Sequence, residues 1–376
     1  MIKPIAIYLP QFHPIQENDQ WWGKGFTEWT NVTKAKPLFK GHYQPHLPSD
    51  LGFYDLRLEE ARLAQETLAK DNGIYGFCYY HYWFNGKRIL HEPLDRKINN
   101  PKEDLPFMIC WANENWTRAW DGSNKEILLE QRYSSEDAQA FAEHLIPYFK
   151  DARYIKNNGK VMFAIYRSDI IPNIHEYIEA IKKECSRYNI EIEISRVESF
   201  AKSGTEFMKG FDSAIEFQPF SPLLSSYVKD NLQPIYNRKF ATRLLIKFFE
   251  LFENYNYKKK TINRIFNQIE YAEYINYLIE NYKIPSTYKR YPCVTPSWDN
   301  TARRKKHESF LFKNASPQFF YKWLAFIVHT MKKKEYTQLN NFVFINAWNE
   351  WAEGNHLEPC LKFGLDYLNA VKKIVS

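Results

Sequence analysis

Eight short apolar segments, each ending in polar or aromatic residues, recur along the chain and predict β-strands. They are Lys3–Leu9, Ile74–Phe84, Pro106–Trp116, Lys160–Arg167, Ile190–Val197, Phe211–Phe217, Tyr291–Trp298 and Phe342–Trp351. Side chains alternate between the two faces of a strand. In the second segment this alternation places Tyr79, His81 and Trp83 on one face, and Tyr80 and Tyr82 on the other.

Segments with helical spacing of apolar residues lie between these strands. They are Tyr54–Asn72, Ser134–Phe149, Pro172–Tyr188, Ser316–Lys333 and Gly364–Val375, and Pro93–Asn100 is a short helix or turn. The segment Ile15–Gly52 is aperiodic and rich in aromatic residues, which is typical of a functional loop. Ser225–Tyr288 is rich in Lys, Asn and Tyr, with helical runs at Phe240–Phe252 and Ile262–Tyr282.

Strands that alternate with helices predict a parallel sheet, and eight such units predict an α/β fold of the (β/α)8 TIM-barrel type. We expect residues 1–376 to form a single domain. The segment at about 225–288 is interpreted as a helical insertion between the sixth and seventh strands. An ordinary long crossover is the alternative.

The last predicted strand continues into FVFINAWNEWAEGNHLEP, where two carboxylates stand among indole rings. Glu350 and Glu353 are three positions apart, so both can face one pocket if the first closes the strand and the second opens the loop. Paired carboxylates cleave glycosidic bonds, roughly 5–5.5 Å apart in retaining enzymes and roughly 6.5–9.5 Å apart in inverting ones. The spacing suits the shorter separation, and these two are the candidate catalytic residues. A surface salt bridge is the alternative, although the neighbouring indoles would make a poor solvated face.

Other polar and aromatic residues near strand ends are candidate substrate-binding residues, because active sites of such barrels lie at the C-terminal strand ends. Amides and carboxylates can bind sugar hydroxyls, and aromatic rings can stack on sugar rings. The candidates are Tyr8, Gln11, His13, Trp22, Glu28, Trp29, Tyr80, His81, Trp83, Trp111, Asn113, Glu114, Trp116, Tyr166, Arg167, Glu216, Trp298, Asp299, Trp348, Asn349, Trp351 and His356. Core packing is the alternative for each aromatic residue, and a structural role for His13 and His81. For Asn113 and Glu114 it is a strand-end cap, and for Asp299 a turn.

The formal net charge is +7, with basic clusters at Lys258–Lys260, Arg303–Lys306 and Lys332–Lys334. Solvated loops and helix ends are one interpretation, and attraction to an acidic glycan, a lipid-linked phosphate or a membrane surface is the other. No nucleic-acid recognition motif accompanies the charge, so no nucleic-acid partner is expected. The expected partner is an oligosaccharide or lipid-linked glycan substrate, with peripheral membrane association left open. The oligomeric state is not indicated by any pattern.

Several motifs are absent from the sequence. There is no Gly-rich dinucleotide or P-loop signature, no HExxH and no Asp-x-Asp pair, so neither a cofactor nor a metal is expected. The five Cys show no metal spacing and predict reduced, buried thiols. The start of the chain does not have the form of a signal peptide, and no segment reaches the roughly 18–20 apolar residues of a membrane span. We therefore expect a cytoplasmic location, either free in the cytoplasm or at the inner face of the membrane.

The motifs YLPQFHP, WWGKGFTEWTNV, HYQPHLP, DLGFYDLR, YGFCYYHYWFNGKR, CWANENWTRAWDG, WDNTARR and NAWNEWAEGNHLEP occur in this order along nearly the whole chain. In these motifs the chain resembles the WbsX family of polysaccharide-cluster proteins, which is described as similar to glycoside hydrolase family 99. That family contains retaining endo-acting α-mannosidases and mannanases on (β/α)8 barrels, with an E-W-x-E element that Glu350–Glu353 matches. Ala352 departs from it, because the hydrolases usually place His there, and Cys360 stands after LEP where Asp is expected.

The resemblance implies a role for each carboxylate. Glu350 would deprotonate the sugar 2-hydroxyl, whose attack on the anomeric carbon gives a 1,2-anhydro sugar. Glu353 would protonate the leaving oxygen and then activate water. The implied function is retaining endo-glycosidase action on a bacterial surface polysaccharide such as O-antigen or capsule. The alternatives are a lipopolysaccharide glycosyltransferase, with Arg303 and Arg304 on a phosphate, and a catalytically silent glycan-binding module.

Overall fold

The computed structural model describes residues 2–118, 126–199, 203–232, 268–304, 309–333 and 341–375. Each of the eight predicted strand segments contains a parallel barrel strand, generally shorter than predicted. These are β1 (Lys3–Tyr8), β2 (Gly76–Phe84), β3 (Phe107–Trp111), β4 (Lys160–Ile165), β5 (Ile192–Glu198), β6 (Ser213–Glu216), β7 (Arg290–Tyr291 and Cys293–Val294) and β8 (Phe342–Ile345). Nearly all their side chains are buried, as expected for parallel strands covered on both faces.

The sheet closes through β7, which Pro292 divides into two short halves. The first half pairs with β6, at Ala214 opposite Arg290. The second half pairs with β8, at Cys293 opposite Phe344. Proline has no N–H to donate to a neighbouring strand, and the Pro292 carbonyl accepts instead from the Phe344 N–H at 2.9 Å. Parallel pairing continues in chain order from β1 to β6, and β1 also pairs with β8, so the predicted barrel is confirmed.

Helices and short strands surround the barrel. The helices are Gln16–Trp22, Glu28–Lys34, Glu59–Asp71, Glu92–Ile98, Ser135–Phe149, Ile174–Arg187, Pro222–Tyr227, Tyr271–Asn281, Pro317–Met331 and Asp366–Val375. The short strands outside the barrel are Lys87–Ile89, Trp116–Thr117, Ile127–Leu129, Lys156–Asn157, Gln268–Glu270, Leu311–Lys313, Asn349–Glu350 and Asn355–His356. All predicted helices whose positions are described are thus present, with changed ends.

The prediction of an aperiodic loop at Ile15–Gly52 was wrong, because the segment contains two short helices. The second of them, Glu28–Lys34, begins where the Thr27 N–H donates to the Thr30 hydroxyl. Its Val32 is buried in the core. Seven residues are too few to show a periodicity that separates them from a loop.

The predicted insertion can be followed only at its two ends. Helix Phe240–Phe252 lies outside the described residues. The predicted helix Ile262–Tyr282 is described from residue 268 onward, where a short strand, Gln268–Glu270, precedes the helix Tyr271–Asn281. That strand pairs in parallel with Leu311–Lys313.

All five Cys are buried and unbridged, as predicted. In the part of the chain that the structure describes, no helix is both long enough and apolar enough to cross a bilayer.

Candidate active site

A cavity of about 360 Å³ opens at the C-terminal ends of the barrel strands. Leu9, Ala112 and Tyr166, which follow β1, β3 and β4, belong to its wall. Nine predicted site residues line it: Gln11, Trp22, Tyr80, Glu114, Trp116, Tyr166, Trp298, Glu350 and Glu353. The two candidate catalytic carboxylates are therefore in one pocket, on the face where a barrel of this type places its chemistry.

The two carboxylates are joined by one guanidinium. Nη2 of Arg303 donates to Oε2 of Glu350 at 3.0 Å, and Nη1 donates to Oε1 of Glu353 at 3.1 Å. On its third side Arg303 contacts Oε1 of Glu28 at 2.6 Å. Because two nitrogens of one planar group reach both carboxylates, the two side chains converge over the same small volume.

Three carboxylates facing one guanidinium leave an excess of negative charge in a buried place. The Glu350 and Glu353 side chains are 8% and 18% exposed. Burial raises the pKa of Glu350 to about 8, with Arg303 opposing the shift and Glu353 and Glu28 adding to it. Burial also raises the pKa of Glu353, again against Arg303. The pair therefore retains a proton at neutral pH, as acid–base chemistry in a pocket requires.

This retained proton has a consequence for stability that does not depend on activity. A carboxyl whose folded pKa is raised stabilises the fold fully below its unfolded pKa, and that contribution is lost as pH rises through the folded value. For Glu350 this loss lies between about pH 4.5 and about pH 8. We expect Glu350→Gln, which cannot ionise, to gain in melting temperature over the wild type as pH rises through this window, by about 2 °C or more. Thermal unfolding of both proteins at pH 5 and pH 8 measures it, and an unchanged difference would contradict the assigned proton.

The chain leaves the barrel before it reaches the two glutamates. β8 ends at Ile345, and the prediction that the strand extends to Trp351 was wrong. The backbone N–H of Trp348 donates to the Ile7 carbonyl at 2.7 Å. The Asn349 side chain accepts from the Leu9 N–H and donates to the Leu9 carbonyl. These bonds tie the chain to the end of β1, so that the next residues turn over the mouth of the barrel.

Trp351, between the two glutamates, is held from three sides. Its indole N–H donates to Glu358 at 2.6 Å, and its ring stacks on His356 with centroids 3.8 Å apart. Trp29 packs against it with centroids 5.5 Å apart. The ring is 1% exposed, so it anchors the loop and leaves no face for a sugar.

Glu358 is the acceptor on which this anchor depends. It takes hydrogen bonds from Tyr54, Gln65 and Trp351. Burial raises the pKa of Glu358 to about 7, and the same three donors oppose that shift. A glutamine here would turn an N–H₂ group toward donors.

We expect Glu358→Gln to lower kcat about tenfold with KM nearly unchanged, because it shifts the loop and leaves the binding walls intact. The unsatisfied donors should also reduce the free energy of unfolding by about 1–3 kcal/mol. Steady-state kinetics and urea denaturation measure the two effects. A variant with wild-type kcat would show that the loop does not need this anchor.

Two aromatic pairs belong to the pocket wall. Trp116 packs edge-on against Tyr82, with centroids 5.4 Å apart. Phe220 packs edge-on against Trp298, with centroids 4.9 Å apart. Such walls suit the flat apolar faces of pyranose rings. Gln11 also lines the pocket and donates to the Tyr82 hydroxyl at 2.9 Å.

Fifteen predicted site residues do not line the pocket. They are Tyr8, His13, Glu28, Trp29, His81, Trp83, Trp111, Asn113, Arg167, Glu216, Asp299, Trp348, Asn349, Trp351 and His356. Most are buried side chains whose polar atoms are occupied by the protein. Glu28 differs from the others because its carboxylate binds Arg303, which contacts both candidate catalytic residues.

The strand-end residues of β2 and β3 show why the prediction placed too many side chains in the pocket. His81 points outward, where its Nε2 lies 3.0 Å from Nε2 of His144. Trp83 donates to Asp137 on the same outer helix, Ser135–Phe149. Trp111 packs on Phe141 of that helix with centroids 4.4 Å apart. The alternation predicted for β2 is thus confirmed, and it separates these rings from Tyr80 and Tyr82.

Other predicted residues brace the loops around the site. Asn113 donates to the Arg167 carbonyl and accepts from the Arg167 N–H. Arg167 itself pairs with Glu114 at 2.5 Å. Asn113 thus caps the end of a strand, which was the alternative to a role in substrate binding.

Further predicted residues are enclosed in the protein. Tyr8 donates to Gln65 at 2.7 Å, and Glu216 accepts from Tyr282 at 2.9 Å. His13 is 1% exposed.

Sequence reasoning missed several residues of the pocket: Tyr82, Asn115, Phe217, Phe220, Asn300 and Asn346. Tyr82 could have been found, because alternation places it on the face of Tyr80. In the sequence Arg303 is a candidate phosphate ligand only, and no pattern predicts its three carboxylate partners. Among the described residues, no cluster of three or more His, Cys, Asp or Glu could hold a metal ion.

Solved structures of similar fold include glycoside hydrolases. A GH99 endo-α-mannosidase from Bacteroides thetaiotaomicron superposes with a TM-score of 0.58 at 12% identity, covering 99% of this chain and 96% of that one. A glycoside hydrolase-like protein superposes with a TM-score of 0.59 at 12% identity, covering 100% and 94%. At this identity the likeness concerns the fold alone.

Closer relatives by sequence are the proteins named WxcX from two strains of Xanthomonas campestris pv. campestris, which are uncharacterized. Each is 36% identical over 374 residues, which is 99% of this chain and 49% of the relative. The chain thus spans about half the length of the curated relatives it matches. The family profile described as Glycosyltransferase WbsX matches residues 4–371. This chain therefore belongs to the WbsX family.

Proposed function

We propose that this protein cleaves glycosidic bonds within a bacterial surface polysaccharide, with retention of anomeric configuration. The observation that supports the proposal is the convergence of Glu350 and Glu353 on one guanidinium in an aromatic-walled pocket. A separation bridged by one side chain suits the retaining class, because inverting enzymes need room for water between the carboxyls. The GH99 likeness supports the fold on which the proposal rests, and the WbsX membership supports a glycan as the substrate.

The proposed mechanism needs one ionised and one protonated carboxylate. In the division of roles implied by the family resemblance, the Glu350 carboxylate takes the proton of the sugar 2-hydroxyl while that oxygen bonds to the anomeric carbon. Glu353 gives its proton to the leaving oxygen, and the bond to that oxygen breaks. In the second half Glu353 takes a proton from water, which opens the 1,2-anhydro ring at the anomeric carbon, and Glu350 returns its proton to the 2-oxygen.

Burial favours the protonated form of Glu350, whereas this division of roles requires Glu350 to be ionised before the reaction begins. The two groups titrate as a pair, so the proton can move between them when a sugar enters. Arg303, which donates to both, is the group that can favour an ionised Glu350 in the complex.

Substrates with activated leaving groups distinguish the two assignments. If Glu353 is the acid, Glu353→Gln should regain activity on a glycosyl fluoride or aryl glycoside, because such a leaving group needs no protonation. Glu350→Gln should stay inactive on the same compound. Rescue of Glu350→Gln alone would exchange the two roles and leave the proposed reaction in place.

A glycosyltransferase of lipopolysaccharide or O-antigen synthesis is the second candidate, and the description of the family favours it. Arg304 lines the pocket and is the residue of the WDNTARR motif that could approach a sugar phosphate, because Arg303 is engaged by three carboxylates. Incubation with nucleotide sugars and with surface oligosaccharides separates the candidates. Hydrolysis of oligosaccharide supports our proposal, and transfer from a nucleotide sugar without hydrolysis overturns it. Binding of glycan without any product, unchanged in both glutamate variants, would indicate a silent binding module.

A further inference from the structure

A second cavity, of about 470 Å³, lies beside the loop that carries the glutamates. It shares no lining residue with the first cavity. Asp299, Gly354 and His356 line the second, while Asn300, Glu353 and Arg303 line the first. Two short segments of chain therefore form the wall between the two cavities.

The hydrogen bonds of two histidines leave an acceptor on this second cavity. Nδ1 of His356 lies 2.8 Å from the Glu358 carbonyl, which only accepts, so this nitrogen carries the proton. Burial lowers the pKa of His356 well below its usual value, so its Nε2 is unprotonated. Nδ1 of His46, 3.0 Å away, must then donate to it. Burial also lowers the pKa of His46 to about 4, so Nε2 of His46 carries no proton and can only accept.

Tyr367 supplies a donor to the same cavity. It is 5% exposed, and its hydroxyl has no hydrogen-bond partner among the described residues. A buried hydroxyl without a partner has a cost of about 1–3 kcal/mol, which is rarely left uncompensated. Tyr367 lines the cavity, so a turn of its ring toward the cavity would let a ligand accept its proton, and Tyr43 has a second buried hydroxyl of this kind.

The rest of the lining includes aromatic rings, charged side chains and the neutral polar residues Gln268, Ser297 and Asn314. Phe39, Tyr43 and Phe363 present apolar surface. Lys362 lies over two of these rings, 4.6 Å from the centroid of Tyr43 and 4.7 Å from that of Phe363.

The charges are largely balanced within the wall. Asp299 is bound by His42 at 2.7 Å, and Lys313 by Glu270 at 2.6 Å. Lys40 lies at the exposed edge. The cavity thus offers several hydrogen-bonding groups, among them Tyr367 and His46, together with ring faces, and its buried charges are paired within the wall.

We propose that the second cavity binds a pyranose unit of the glycan, remote from the bond that is cleaved. A sugar hydroxyl can donate to His46 and accept from Tyr367, and the ring can lie against the aromatic side chains. The proposal rests on the proposed function for the identity of the ligand. Occupancy would bear on the glutamates, because His356 stacks on Trp351 and the Asp299 N–H donates to the Glu353 carbonyl.

The test combines soaked crystals with calorimetry, using methyl α-mannoside and methyl α-glucoside as probes. We expect a ring in the second cavity with hydrogen bonds to Tyr367 and His46. Tyr367→Phe should weaken this binding about threefold to tenfold, because it removes one hydrogen bond. It should not lower the melting temperature, since the hydroxyl has no partner in the empty protein.

Tyr282→Phe is the matched control. It removes a buried hydroxyl that donates to Glu216 at 2.9 Å, and its ring packs on Phe326, which is not in the cavity lining. It should lower the melting temperature and leave sugar binding unchanged. A ring found only in the first cavity, no binding by either probe, or equal affinity in the wild type and Tyr367→Phe would overturn the proposal. A bound ring in the second cavity without hydrolysis of any glycan would refute the proposed function and leave this site standing.

Discussion

Glu350→Gln and Glu353→Gln are each expected to reduce turnover of the polysaccharide by about 100- to 10,000-fold while the fold is retained. The range is that of general acid–base catalysis by a positioned side chain. Both carboxylates line the pocket and meet at one guanidinium, so each amide keeps the shape of the site and loses the proton transfer. Reducing-end release from oligosaccharides, with circular dichroism as a check of folding, measures the effect.

Glu92→Gln serves as the control for this substitution. Glu92 forms an exposed ion pair with Arg96 on the helix Glu92–Ile98, away from the pocket. An exposed pair contributes little to stability, so we expect wild-type turnover. If either active-site glutamine variant also kept turnover within a factor of two or three of the wild type, the pair would not carry the reaction.

Arg303→Met is the second change with a large expected effect. It removes the cation shared by Glu28, Glu350 and Glu353, and leaves three buried carboxylates facing one another. Breaking a buried ion pair from one side costs about 3–5 kcal/mol, because the remaining charge is uncompensated. We expect this loss at pH 8. At pH 5 the loss should be smaller, because Arg303 holds down the raised pKa of both glutamates, and without it both carboxyls keep their protons.

Urea denaturation of the wild type and Arg303→Met at the two pH values measures the difference. Adding Glu28→Gln to Arg303→Met should recover part of the stability, because it removes one of the three facing charges. Arg96→Met, on the exposed pair with Glu92, is the control and should change little at either pH. An equal loss for Arg303→Met at both pH values would mean that the carboxylates do not titrate against this arginine.

The barrel could be predicted because its signal is local and repeated. Each strand is a short apolar segment, and its side chains are buried whichever strands lie beside it. The ends of the strands were less accessible. Nothing in FVFINAWNEW marks Ile345 as the last barrel residue, since the turn is made by bonds from Trp348 and Asn349 to β1, more than 300 positions earlier.

The sequence predicted more residues in the pocket lining than the structure places there. The spacing of Glu350 and Glu353 allowed both to face one pocket, and both line it, although the strand expected to carry Glu350 ends at Ile345. The indole between them suggested a sugar platform, but Trp351 is enclosed by His356, Trp29 and Glu358. A large aromatic ring at a strand end can line the pocket, pack on an outer helix or pack beneath a loop. Which of these it does depends on the face of the strand from which it projects.

Arg303 could not have been assigned from the sequence. Its partner Glu28 lies 275 positions away, and the short helical turn Asn300–Ala302 that precedes Arg303 has no pattern of its own. Only the closed barrel brings the start of the chain, the end of β7 and the loop after β8 to the same place.

The most direct test of the central claim is the anomeric configuration of the first product, followed by proton NMR during hydrolysis of an oligosaccharide from the host's surface polysaccharide. Two converging carboxylates with one retained proton predict that the newly released reducing end has, before mutarotation, the same anomeric configuration as the cleaved bond. An inverted first product would contradict the account, because it would require water between carboxyls that the structure holds on a single guanidinium.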